Sequence, residues 1–579
     1  MNLEAICHIP KSNYAYPYKD NELHIRLRTA KNDMDQVELI YGVKYDWQNN
    51  QSHVMKKILT DEFYDYYQYN ITCEDSRIGY YFGLTKGNRK LFYTELGFVD
   101  KFKDDFAYCY FFQYPYINKV DVHKEPSWVH EAIFYQIFVE RFYNGDLKNS
   151  PPDLTPWSAA PSPHSFYGGD LKGIIDKLDY LKDLGINGIY LTPIFQSPSN
   201  HKYDTVNYFE IDSYFGDKDI FAELVQKAHD RGIRIVLDAV FNHCSNLFEP
   251  FQDAIKKGKD SKYWDWFFIE GDQVYIDPPN YKTFGHVPYM PKLNTANPEV
   301  KEYLLSSICY WTTEYNIDGW RLDVSDEIDH RFWRGFRDAV KEINKEAIII
   351  GENWHNALPW LMGDQFDSVM NYQVTKLCLD FFARNSISAK SFEESLSSLL
   401  MRYPDQVNEA MLNLLDSHDT ERFLYTCKER KESLKNAAAF LFGYKGMPCT
   451  YYGTEIGMTG NYDPGCRKGF DWNQKHWDMD LYLYYKKLIS IRRKEKTLQY
   501  GDIEFLSTDT VFVMKRSYNR ESMYILINQT EDRIDYTIPK IPNDISEVKE
   551  LLSGSKWKTE QGTVKLQIPA YSAFYIKLA

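Results

Sequence analysis

Residues 22–30, ELHIRLRTA, alternate strictly, with Leu23, Ile25 and Leu27 on one face and His24, Arg26 and Arg28 on the other. That period of two predicts a half-buried strand. Extended runs recur at IGYYFGLT (78–85) and YCYFFQYP (108–115) with turn residues between them, so residues 1–122 read as an antiparallel β-sandwich. The polar, proline-bearing DVHKEPSW (121–128) reads as the linker out of it.

From residue 130 the pattern changes to apolar strands alternating with amphipathic helices. IFYQIFV (133–139) is a buried-strand run; Asp170 then caps a helix carrying Leu171, Ile174, Ile175, Leu178 and Leu181 at helical spacing, which Gly185 stops. INGIYLTPI (186–194), a helix through Phe221, Leu224, Val225 and Ala228 to Gly232, and IRIVLDAVF (233–241) repeat the unit. This is β-α-β repetition with a parallel sheet. Five more strands are predicted at IDGWRLDV (317–324), AIIIGEN (347–353), FDSVMNY (366–372), AMLNLLDS (410–417) and CTYYGTE (449–455). Eight strands predict an α/β fold, a closed (β/α)8 TIM barrel over residues 123–497. Residues 242–296 lack a clear period and are rich in Trp, Tyr, Pro and Gly, as expected of a subdomain inserted after the third strand. Beyond 497, VFVMKR (511–516), MYILIN (523–528) and AFYIKL (573–578) predict a C-terminal β-sandwich over 498–579.

Charge and cysteine usage narrow the function. With 68 basic against 82 acidic residues, a net of −14, the chain would repel a polyanion, and no nucleic acid partner is expected. Nine cysteines, an odd count without a CxxC pair, fit reduced thiols and a cytoplasmic location. The start lacks a basic segment followed by a long apolar run, and no apolar stretch approaches a membrane span, so neither export nor membrane insertion is expected. Aromatic residues reach 16% of the chain; flat rings suit the C–H faces of sugars, although most aromatics fill cores.

In a barrel of this type the active site lies at the C-terminal ends of the strands. There the third strand brings Asp238, Asn242 and His243, the fourth Arg321 and Asp323, the fifth Glu352, and the seventh His418 and Asp419. Taken singly, each is as readily a helix cap or a hydrogen-bonded core residue. Together in one register they point to one mouth. Crowded carboxylates hold one of their number protonated near neutral pH, and glycoside hydrolysis needs one carboxylate as nucleophile and one carboxylic acid as proton donor. The apolar strand IIIGEN predicts that Glu352 is the more buried, while Arg321, two residues before Asp323 on the same face, predicts that Asp323 stays ionised. Asp323 is therefore the expected nucleophile and Glu352 the expected acid/base. A barrel metallohydrolase is disfavoured because no HxH motif stands at a strand end, and a non-catalytic barrel scaffold has no need of mutually repelling carboxylates.

The segments DAVFNH (238–243), GWRLDVSDE (319–327), GENWH (351–355) and LLDSHDT (414–420) resemble, in order and spacing, the four hallmark regions of glycoside hydrolase family 13, the α-amylase family. GINGIYLTPIF (185–195) and GMPCTYYGTEIGM (446–458) resemble two further regions. MPKLN (290–294) resembles the fifth region of the neopullulanase, cyclomaltodextrinase and maltogenic amylase subgroup, which also carries an N-terminal sandwich.

The resemblance implies a retaining α-glucan hydrolase that cleaves α-1,4 and some α-1,6 bonds in cyclomaltodextrins, pullulan and maltooligosaccharides, with transglycosylation as a side activity. An α-1,6-specific oligosaccharide hydrolase of the same family is the nearest alternative, and MPKLN and the N-terminal sandwich count against it. The implied roles are Asp323 as nucleophile, Glu352 as acid/base and Asp419 as the third carboxylate, which holds sugar hydroxyls. Tyr203, His243, Arg321 and His418, with Asp238 at the same mouth, would line the subsite of the cleaved glucose. Glu327 and Trp354 would touch acceptor-side sugars, and Phe284 would meet substrate. NGDLKNSPPD with FYGGD resembles a structural calcium site, in which Asn144, Asp146, Asn149, Asp170 and the Gly168 carbonyl would supply the hard oxygens that Ca²⁺ requires. The N-terminal sandwich is implied to mediate a homodimer that narrows the partner's active-site mouth. Tyr41, Tyr45, Trp47, Phe63, Tyr64, Tyr66, Tyr67 and Tyr69 are more rings than one small sandwich core should bury, which agrees with that use.

Overall fold

The computed structural model describes residues 1–102, 107–542 and 544–578. At the N-terminus two antiparallel sheets face one another. One orders Ala15–Lys19, Glu22–Ala30, Tyr64–Thr72 and Lys56–Thr60; the other is built on Gln36–Val43 paired with Ile78–Lys86. Leu23, Ile25, Leu27, Leu39, Tyr80 and Phe82 fill the space between them. The extended run at 108–115 is shorter than its pattern predicts: Ala107–Tyr110 forms a 3-10 turn and only Phe112–Tyr114 is strand.

The strand Glu22–Ala30 corrects a second expectation, because its polar face is not solvated. His24 and Arg26 are 3% and 1% exposed. Arg26 pairs with Asp405 at 2.6 Å and donates to the Tyr403 carbonyl at 2.8 Å, while His24 lies 3.1 Å from Asp405. The alternation marks two interfaces, an apolar one to the sandwich core and a polar one to the barrel.

The barrel strands are β1 (Phe134–Ile137), β2 (Gly188–Leu191), β3 (Arg234–Ala239), β4 (Gly319–Leu322), β5 (Ile348–Gly351), β6 (Ser368–Val369), β7 (Leu412–Leu414) and β8 (Met447–Tyr451). They run parallel in the order β6-β5-β4-β3-β2-β1-β8-β7, and a parallel bridge between Met370 and Leu412 joins the ends. Helix α1 (Leu171–Leu184) starts where the Asp170 carboxylate accepts the Gly173 N–H at 2.6 Å and stops at Gly185, whose φ of 100° suits only glycine. Phe221, Leu224, Val225 and Ala228 are the buried stripe of α2 (Lys218–His229). Two further helices, α3 (Tyr372–Cys378) and α4 (Ala389–Met401), follow β6.

Alternation along the strands decides what faces the barrel axis. Phe134, Tyr190, Val236, Ile348, Ile350 and Leu414 pack together in the interior, whereas their neighbours Tyr135, Ile189, Ile235, Leu237 and Ile349 join the larger core under the helices. Asp238, Arg321, Asp323 and Glu352 share the interior parity, and Asp238 stands directly opposite Arg321 across β3 and β4. After β3 the chain makes the helix Glu249–Lys257 and a series of turns, then returns through Lys292 and Leu293, which bridge to His243 and Phe267. The C-terminal domain is a six-stranded sheet facing a two-stranded one, tied to the barrel by Arg516, which donates to the Gly443 carbonyl at 2.6 Å. Among the described residues no helix is long and apolar enough to cross a membrane.

Candidate active site

One guanidinium organises the mouth of the barrel. Arg321 Nη1 lies 3.0 Å from both Asp238 oxygens and 2.8 Å from Asp323 Oδ1, and Nη2 lies 2.7 Å from Glu352 Oε2. All four residues are at least nine-tenths buried. Burial raises the proton affinity of Asp323 well above the ordinary carboxylate range; Arg321 opposes this, and Glu352, Asp238 and Asp419 reinforce it. Asp238 is pushed up to about 6, again by burial against the pull of Arg321. Burial therefore does not divide the roles as predicted, and Arg321 does not by itself hold Asp323 in the ionised range. Glu352 is 7% exposed and Asp323 6%, and Arg321 serves both, because the arginine reaches across two strands rather than along one.

Glu352 is held from three sides besides. The Val324 N–H donates to its Oε2 at 3.0 Å, Trp354 Nε1 donates to its Oε1 at 3.2 Å, and Ser325 Oγ donates to its backbone carbonyl at 2.6 Å. Val324 reaches that position at a φ of 46°, a left-handed conformation that costs a β-branched residue on the order of 1–3 kcal/mol.

Around this centre the predicted sugar-binding residues assemble. Tyr203 Oη donates to Asp238 Oδ2 at 3.0 Å and lies 2.5 Å from His418 Nε2, with the two rings parallel. His418 is 3.2 Å from Asp419, and burial holds its imidazole far below its usual range and hence neutral. His243, pushed down to about 3 by burial, stacks on Phe284 at 4.7 Å between ring centroids, and its Nε2 is buried without a hydrogen-bond partner. At the rim Trp354 is 43% exposed and lies face to face on Tyr372 at 3.6 Å, while Glu327 is half exposed and paired with Lys292 at 3.3 Å.

Residues 136–476 match the family described as alpha amylase, catalytic domain, and residues 1–118 match alpha amylase, N-terminal ig-like domain. The chain belongs to the α-amylase family. A cyclomaltodextrinase of Geobacillus thermopakistaniensis (strain MAS1) is 47% identical over 580 residues, covering 99% of this chain and 98% of the relative. Neopullulanase 2 of Thermoactinomyces vulgaris is 42% identical over 587 residues, covering 100% and 99%. A solved cyclomaltodextrinase structure superposes with a TM-score of 0.96 at 43% identity, covering 100% of both chains. This chain is accordingly a glycoside hydrolase of the α-amylase family.

Several side chains of this α-amylase-family site were not among the predicted site residues. Tyr190, whose hydroxyl donates to Asp238 Oδ2 at 2.6 Å, was discoverable from its interior parity on β2. Gln136 holds His418 Nδ1 at 2.7 Å. Arg467 donates to the His418 carbonyl at 2.9 Å and lies 3.5 Å from Asp419, but it sits in a loop after β8 with no register to announce it.

The loop expected to hold calcium forms a second cluster. Asp170 accepts the N–H groups of Gly173, Gly145 and Asp146 at 2.6, 3.0 and 2.8 Å, so much of its carboxylate already serves the backbone. Asn144 Oδ1 and Asn149 Oδ1 are buried without a partner, and a Cβ on Gly168 would come 2.6 Å from Asn144 Nδ2. Orphaned hard oxygens beside a position closed to side chains fit a Ca²⁺ cradle.

Proposed function

We propose that this enzyme is a retaining hydrolase of α-1,4 bonds, and of some α-1,6 bonds, in cyclomaltodextrins, pullulan and maltooligosaccharides. The observation that carries the reading is Arg321 holding Asp323 and Glu352 on neighbouring nitrogens of one guanidinium. Two carboxylates kept that close favour the roughly 5–5.5 Å separation of retaining pairs over the wider gap that leaves room for an attacking water. Asp323 attacks the anomeric carbon while Glu352 protonates the departing glycosidic oxygen. Glu352 then takes a proton from the water that cleaves the glycosyl-enzyme. Asp419, Tyr203 and His418 hold the sugar being cleaved, and the unpartnered His243 Nε2 is free to meet one of its hydroxyls. The substrate range rests on relatives named cyclomaltodextrinase and neopullulanase.

At the rim, Glu327 and Trp354 offer an exposed carboxylate and an exposed indole to an acceptor sugar, which supports transglycosylation. Ca²⁺ would be held by Asn144, Asp146, Asn149, Asp170 and the Gly168 carbonyl, and there it would fasten the loop without entering the reaction. The exposed rings of Tyr45 and Phe63 support a homodimer through the N-terminal domain. Nine free cysteines, six of them buried, support a cytoplasmic location.

The test is substitution of the pair, with products followed on cyclodextrin, pullulan and starch. Asp323→Asn is expected to lower turnover by a factor on the order of 10⁴ or more with substrate binding retained. Glu352→Gln is expected to lower turnover by roughly 10²- to 10⁴-fold, because the proton donor is lost. Near wild-type turnover in either folded variant refutes the assignment.

A further inference from the structure

Behind the catalytic mouth lies an ion pair that the reaction as derived does not use. Glu140 and Arg141 stand in the 3-10 turn Val139–Arg141 that follows β1, and both are buried. Taking two charges out of water is costly unless their attraction and further hydrogen bonds offset it, so the partners of a pair this deep matter. Arg141 Nε donates to Glu140 Oε2, Nη1 to the Arg467 carbonyl at 2.9 Å, and Nη2 to the Ser165 carbonyl at 2.9 Å. Glu140 Oε1 in turn accepts the N–H groups of Tyr167 and Gly168, the latter at 2.7 Å. The guanidinium is held from one side and holds two backbone carbonyls on the other.

Those carbonyls lead to the two halves of one stacked pair. From its loop Arg467 reaches back to the His418 carbonyl and lies beside Asp419. The Ser165 carbonyl also accepts Asn200 Nδ2 at 2.8 Å, and Asn200 stands shortly before Tyr203 in the chain. The rings of Tyr203 and His418 lie parallel, 5.4 Å between centroids. Arg141 thus ties together the backbone that carries both. The Arg467 loop has a second anchor, because Arg422 Nε donates to the neighbouring Cys466 carbonyl at 3.0 Å. Loss of Arg141 therefore leaves the loop attached and releases the aim of Arg467.

We infer that Arg141, held by Glu140, is a positioning residue for the subsite of the cleaved sugar: it sets the spacing between the loop that fixes His418 and Asp419 and the segment that steers Tyr203. The inference rests on the reading above, in which Tyr203, His418 and Asp419 hold that sugar. Arg141 acts through Arg467 and Ser165 rather than on the sugar itself.

Removing Arg141 alone strands the Glu140 charge, so the pair is removed together as Glu140→Gln with Arg141→Gln. Arg141→Lys keeps the charge but loses the fork that spans the two carbonyls. The measurements are kcat and KM on maltotriose, and the Kd of maltotriose by calorimetry in an Asp323→Asn background, with folding followed by thermal melting and binding stoichiometry. The expected result for the pair variant is a weaker Kd and a fall in kcat/KM of about 10- to 100-fold, the size of effect that misplacement by an ångström produces. Arg141→Lys should fall between it and the wild type. Adding Arg467→Gln to the pair variant should lower kcat/KM by less than the product of the two separate effects, because both act along one chain of contacts. A pair that only stabilises the fold lowers the melting temperature and the stoichiometry and leaves the Kd of the folded molecules at the wild-type value. That result overturns the inference, and so do separate effects that multiply in full. If the pair variant does not fold, Arg141→Lys, alone and combined with Arg467→Gln, decides by the same two readings. A wild-type protein that neither binds nor cleaves maltotriose overturns the functional reading instead, and the two failures are thereby distinguished.

Discussion

Arg321→Met removes the cation shared by Asp238, Asp323 and Glu352 and leaves an unbranched chain to fill much of its space. At 2.8 Å and an effective dielectric of about 20, the gross attraction between Arg321 and Asp323 is about 6 kcal/mol. Breaking a buried pair of this kind costs a net of about 3–5 kcal/mol if the remaining charges persist. They need not persist, because the abandoned carboxylates can take up protons. A neighbouring arginine lowers a carboxyl by about 1–3 pH units, so its loss moves Asp323 further up from a position that burial has already raised above the ordinary 3.8.

A carboxyl whose folded-state value lies above its unfolded value binds more protons folded than unfolded in the interval between them, so stability falls as pH rises through that interval. The variant should therefore lose less melting temperature near pH 5 than near pH 7.5. Its nucleophile should also ionise later, shifting the acid limb of the kcat/KM profile upward by about 1–3 pH units, so that the rate falls most on the acid side of the profile. Arg321→Lys keeps a charge but loses the fork and should shift the limb less. A folded Arg321→Met enzyme whose acid limb stays at the wild-type position would show that another group governs ionisation of the nucleophile.

Removal of calcium by EDTA is expected to lower the melting temperature, and added Ca²⁺ to restore it, with the rate of the surviving folded enzyme unchanged; identical melting curves would leave the loop metal-free. His8, buried between the Arg26 carbonyl at 2.7 Å and the Tyr80 hydroxyl at 2.9 Å, is pushed down to about 4 by burial. Its contribution is fully present above about pH 6.5 and is lost as pH falls through 4, about 3 kcal/mol in all, so His8→Gln should flatten the melting temperature against pH across that window. The full chain is expected to sediment as a dimer at micromolar concentration. A chain starting near Pro126 should be monomeric and melt lower, since it uncovers Asp405, the partner of Arg26; a monomeric full-length protein refutes the dimer.

Local periodicity made much of this protein legible. Two-residue alternation in the barrel strands places Asp238, Arg321, Asp323 and Glu352 on the interior, and cap chemistry at Asp170 and Gly185 bounds α1, because pleat and helix-end geometry depend on residues only a few positions apart. Contacts across hundreds of residues were beyond that reach. The polar face of Glu22–Ala30 is buried because Arg26 meets Asp405, 379 positions away, and His418 is oriented by Gln136, 282 positions away. Relative burial of Asp323 and Glu352, the reach of one arginine to both, and the arrival of Arg467 and Lys292 from separate loops were likewise decided by packing. A strand's own sequence determines which way each side chain points, whereas what it meets there depends on which other segment the closed barrel brings to the same mouth.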